Sequence, residues 1–80
     1  MSEFNIKGRC YTLGISLTEL FNEAKERAIK IDATKFRKMS FNVFSNTLHG
    51  RYNYGIGPEF VSIANEVLTE KEAKKAQKVG

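Results

Sequence analysis

Between Ser16 and Ile31 the apolar residues Leu17, Leu20, Phe21, Ala24, Ala28 and Ile31 recur at helical spacing. That spacing commits the segment to an amphipathic helix, which must lay its stripe on another part of the chain. Ser16 and Glu19 in "SLTE" form a capping box at its start. The hydroxyl accepts from a free N–H of the first turn, and the carboxylate reaches back. Glu23 with Arg27 and Glu26 with Lys30 stand in the favourable order for pairing along one face, each pair contributing about 0.3–0.5 kcal/mol. Phe60, Ile63, Ala64, Val67 and Leu68 make a second stripe of the same kind.

What these stripes cover is sought in segments of a different period. In "FNIKGRCYTL" Phe4, Ile6 and Cys10 alternate with Asn5, Lys7, Arg9 and Tyr11, as in a half-buried strand. Met39, Phe41 and Val43 alternate with Ser40, Asn42 and Phe44, and Tyr52, Tyr54 and Ile56 alternate with Arg51, Asn53 and Gly55. With "NTLHG" between them, these two runs predict a hairpin. The expected fold is α+β, a small single domain of order β-α-β-β-α with an antiparallel three-stranded sheet covered on one face by two helices. That domain spans residues 1–69, and residues 70–80 are a charged C-terminal helix extension or tail.

A competing all-α reading rests on Phe36, Met39, Val43 and Thr47, which also fit helical spacing. The stretch "SFNVFSNTLHG" resembles the recognition helix of helix-turn-helix repressors ending in a glycine cap. The resemblance is confined to this stretch, and Lys38, Arg37 and Thr34 stand where small or apolar residues of that motif belong. It implies a DNA-binding regulator.

The glycine-rich "HGRYNYGIGP" raises the question of a phosphate cradle. No Gly-Lys-Ser/Thr follows it, Pro58 removes a donor, and Glu59 already places a negative charge at the helix start. A strand end running into a helix is the better reading.

Composition narrows the chemistry. Eighty residues make one domain with a marginal core. One Cys forms no intrachain disulfide, and with one His it does not complete the usual four-ligand zinc site. No metal and no cofactor is expected, and a reducing, cytoplasmic setting is. "MSEFNIKGRC" lacks the apolar run of a signal peptide, and no stretch approaches the roughly 20 apolar residues that span a bilayer. A membrane partner is not expected. Cys10 reads as a small core residue and His49 as a polar turn residue rather than as nucleophile and base, so no enzymatic activity is expected.

Thirteen Lys and Arg against nine Asp and Glu give a net charge of +4. From Lys30 to Pro58 the cations are Lys30, Lys35, Arg37, Lys38 and Arg51, and Asp32 is the sole acid. On the expected sheet, the face left open by the helices carries Lys7, Arg9, Tyr11, Lys38, Asn42, Phe44, Arg51 and Asn53. Cations track phosphates and rings stack on bases. The expected function is therefore a small basic nucleic-acid-binding accessory or regulatory protein, with RNA or a single strand favoured over DNA. A symmetric homodimer is also expected, because the core is small and Tyr11 and Phe44 lie on that face. In length and lysine content the chain resembles the small accessory proteins of tailed phages, which implies an inhibitor that binds and blocks a host protein.

Overall fold

Residues 5–51 and 55–79 are described by the computed structural model, with side chains as far as Lys75, and every regular element among them is a helix. These are α1 (Ile6–Leu13), α2 (Leu17–Ile31), α3 (Ala33–Phe36), α4 (Phe41–Leu48) and α5 (Ile56–Val79). The expected three-stranded sheet, and with it the α+β order, is overturned; the all-α alternative is consistent with these elements.

The first expected strand is α1. Ile6 and Cys10 are four residues apart, a spacing that suits one face of a strand and one face of a helix equally. Leu13 extends the series only in the helical sense: Ile6 and Cys10 are buried and Leu13 packs against the core. Gly14 ends this helix with φ 75°. Its N–H donates to the Tyr11 carbonyl and that of Ile15 to the Cys10 carbonyl, which is the Schellman arrangement that a residue without Cβ makes easy.

The first arm of the expected hairpin is α4. Ser40 caps it, its hydroxyl accepting from the Val43 N–H at 3.3 Å. Met39, Phe44 and Leu48 are buried, whereas Phe41 is 38% exposed and Val43 only partly covered. Met39, Phe41 and Val43 therefore do not form one buried face, and Phe44, expected on the open side, has no exposed surface at all. Tyr52, Asn53 and Tyr54 lie outside the described residues. Ile56, read as the end of the second arm, opens α5, and Gly57 and Pro58 sit in its first turn.

Helix α2 forms as its pattern requires. The Ser16 hydroxyl accepts from the Glu19 N–H at 3.0 Å, and Leu20, Phe21, Ala24 and Ala28 are buried. Ile31, assigned to the same stripe, is 65% exposed. It occupies the last turn, immediately before Asp32 bends the chain away with φ −154° and ψ 90°. This single extended residue ends one helix and begins the next: its N–H donates to the Ala28 carbonyl at 2.9 Å, and its carboxylate accepts from the Lys35 N–H at 3.0 Å.

Helix α5 is continuous over 24 residues, about 36 Å at 1.5 Å per residue, and it is the spine on which the other four pack. Phe60, Ile63, Ala64, Val67 and Leu68 are buried, as their spacing demands. The Thr69 hydroxyl donates to the backbone carbonyl of Asn65 one turn earlier, and residues 70–79 continue the same helix.

Where α2, α3, α4 and α5 meet, the rings of Phe21, Phe36, Phe41, Phe44 and Phe60 form a cluster with centroids 5.3–6.3 Å apart. Tilted and edge-on pairs of this kind add about 0.5–1.5 kcal/mol each beyond area burial. Charged side chains then tie the helices at the surface. Glu23 and Arg27, suited by sequence to pair with each other, instead cross to α5, where Lys71 and Glu70 meet them at 2.8 and 2.5 Å. Lys35 pairs with Glu59.

Candidate functional site

The residues expected on one open face are dispersed once the sheet is replaced by helices. Phe44 is at the centre of the core. Arg9 is turned inward along α1 onto α5: its guanidinium donates to both oxygens of Glu72 at 3.0 and 2.7 Å, to the side-chain Oδ1 of Asn65 at 2.5 Å and to the Thr69 hydroxyl at 3.2 Å. Both are therefore structural, and neither is presented to a ligand. Asn53 lies outside the described residues. Lys7, Tyr11, Lys38, Asn42 and Arg51 are exposed, and Tyr11 is 88% so.

Around α4 the structure brings some of these together with residues that the period-2 reading overlooked. Burial of Phe44 and Leu48 fixes which side of this helix faces inward. Asn42, Ser45, Asn46 and the capping His49 follow at i, i+3, i+4 and i+7, so they form one polar stripe on the outer side. Asn42 and His49 are exposed, and Ser45 and Asn46 are partly so. The Asn42 and Asn46 amides make no hydrogen bond to any other described residue. The clue in the sequence was this polar series itself, running opposite Phe44 and Leu48.

Cations bracket the stripe. Arg37 and Lys38 are exposed in the turn before Ser40, and Arg51 follows the helix. Among the described residues none of these three side chains has an ion-pair partner. Lys7 reaches across from α1, its ammonium donating to Nε2 of His49 at 2.7 Å. The opposite ring nitrogen, Nδ1, is 2.8 Å from the Ser45 carbonyl oxygen. A carbonyl only accepts, so Nδ1 carries the proton and Nε2 receives the ammonium. From Ala33 to Pro58 there is no Asp or Glu, and among the described residues Lys35 is the one cation of this stretch with an ion-pair partner, Glu59.

The charged groove between α2 and α5 differs in kind. It has a volume of about 300 Å³ and is lined by Glu23, Glu26, Arg27, Lys30, Val67, Glu70, Lys71 and Lys74, and its acids and bases largely neutralise one another. The Arg27 guanidinium holds the Glu70 carboxyl below its ordinary range, as Arg9 does for Glu72. A shallower depression of about 310 Å³ has Leu13 and Ile15 beside Lys71, Lys74 and Lys75.

Cys10 is 3% exposed, and burial pushes its thiol pKa up, the reverse of what a nucleophilic thiolate needs. Among the described residues no three His, Cys, Asp or Glu side chains converge on a point that would hold a metal ion. No described helix is long and apolar enough to cross a membrane. No protein-family model, curated protein or solved structure matches the chain.

Proposed function

We propose that this chain is a small nucleic-acid-binding protein of accessory or regulatory character that docks α4 against a duplex and acts without catalysis. The observation that carries the reading is the polar outer stripe of α4, bracketed by Arg37, Lys38 and Arg51 in a stretch free of acids. An α-helix fits the major groove of B-form DNA, whereas that of A-form RNA is too deep and narrow to read. The expectation of RNA or a single strand drew on a sheet and on Phe44 as a stacking ring. Without that sheet, and with Phe44 in the core, duplex DNA is the better-supported partner.

Fluorescence anisotropy with a labelled DNA duplex, titrated at several salt concentrations, tests this. The parent should bind with a negative salt slope, and Arg37→Ala, Lys38→Ala and Arg51→Ala should each weaken binding on all sequences and reduce the slope by about one. If the parent binds no duplex at about 50 mM salt, where phosphate contacts are strongest, the proposal fails.

A protein-directed inhibitor remains the second reading. It is favoured by a different surface, the depression where Leu13 and Ile15 lie beside Lys71, Lys74 and Lys75, which suits an acidic, partly apolar partner. Lys74→Glu with Lys75→Glu would abolish such binding and leave the α4 surface intact.

A further inference from the structure

We infer that Asn42 and Asn46 read adenine in the major groove, making the preferred ligand an A·T-containing DNA duplex. The inference rests on the duplex-binding reading above and names its substrate class. Its basis is the chemistry and placement of the two amides. Asparagine matches adenine because its carbonyl oxygen accepts from N6–H while its NH₂ donates to N7. Asn42 and Asn46 are the only side chains on the outer stripe of α4 that offer this donor and acceptor together.

Neither amide has a hydrogen-bond partner among the described residues. Ser45 Oγ likewise has no partner among the described residues, while His49 is held by Lys7 and the Ser45 carbonyl. Asn42 and Asn46 are one helical turn apart, about 6 Å along the axis. Successive bases on a strand are about 3.4 Å apart, so the two amides address adenines about two steps apart when α4 lies along the groove. Arg37 and Lys38 before the helix and Arg51 after it stand where flanking phosphates would set that register. No carboxylate lies on the outer stripe, so nothing on it favours the N4–H₂ donor of cytosine.

The test uses the full chain and three labelled duplexes of equal length: one rich in A·T, one of G·C alone, and the A·T duplex with 7-deazaadenine in place of adenine. The last removes N7 and keeps pairing and charge. The parent should prefer the A·T duplex over the G·C duplex by about 5- to 150-fold, and 7-deazaadenine should erase most of that preference. Asn42→Ala and Asn46→Ala should each lower the A·T preference, and the double variant should retain salt-dependent binding but bind all three duplexes alike. Equal binding of the A·T and G·C duplexes by the parent overturns the adenine inference and leaves duplex binding standing. A preference that survives 7-deazaadenine overturns it as well, and points to groove shape instead. Absence of binding to every duplex overturns both readings. The 7-deazaadenine comparison needs no variant, so the result does not depend on how either substitution folds.

Discussion

Arg9 and Glu72, 63 residues apart, are joined by two parallel hydrogen bonds of 3.0 and 2.7 Å that fasten α1 to the second half of α5. The guanidinium is also held by Asn65 and Thr69, so one side chain bridges three positions along α5. Helix α1 has eight residues, too few to be stable alone in water. The clamp therefore adds to the burial of Ile6 and Cys10 in setting the position of α1.

Arg9→Ala should lower stability by about 1 kcal/mol, the upper end for a partly exposed pair, and Tm by about 4–8 °C for a domain of this size. Arg9→Lys should recover little, because an ammonium does not reproduce the planar fork. Thermal unfolding followed by circular dichroism measures both. A wild-type Tm for Arg9→Ala would show that the clamp is decorative.

The same contact predicts an acid limb. Arg9 holds the Glu72 carboxyl below its ordinary value of 4.5 in the folded state, first through its hydrogen bonds. A carboxylate with a depressed folded pKa contributes stability that is complete above the unfolded value and is lost as pH falls through the folded one. Glu70, lowered by Arg27, acts in the same direction. Tm should be nearly level from neutral pH down to about 5 and then fall, with a shallower fall in Glu72→Gln. An equally steep fall in that variant would assign the acid limb to other groups.

Phe44 supplies a sharper test, because the strand reading and the helical structure give it opposite roles. With no exposed surface and ring contacts to Phe21, Phe41 and Phe60, Phe44→Ala should cost about 3–5 kcal/mol. In a small domain that leaves much of the population unfolded. Phe44→Leu, which keeps most of the volume, should be milder. An Ala variant that folds with parental stability would remove Phe44 from the core.

Cys10 should react slowly with a thiol reagent. It is 3% exposed, and burial disfavours the thiolate, so labelling should be limited by opening of α1 and should accelerate in Arg9→Ala. Rapid labelling of the native parent at neutral pH would contradict the packing of α1.

Tyr11 is exposed on α1 and touches none of the phenylalanine rings of the core. Tyr11→Ala should leave Tm within about 0.5 kcal/mol equivalent of the parent. A large loss of stability would place the ring in a contact absent from this fold.

Helices α2 and α5 were legible because each repeats its apolar spacing over several turns, and period 3.6 then separates cleanly from period 2. Ser16 with Glu19, and the series Phe60, Ile63, Ala64, Val67 and Leu68, required nothing beyond the chain itself. The acid-free stretch from Ala33 to Pro58 is likewise a property of sequence alone. The eight-residue helices α1 and α4 were not legible. Ile6 with Cys10 and Phe44 with Leu48 are spaced by four, a distance that returns to the same face in either geometry, while the interleaved polar residues imitate a strand. Helices this short are stable only when packed, so the choice fell to long-range partners: Phe21 and Phe60 enclosing Phe44, and Glu72 holding Arg9. Tertiary structure thereby took Arg9 and Phe44 out of the candidate site and turned Asn46 outward beside Asn42, because only the burial of Phe44 and Leu48 decides which side of α4 faces water.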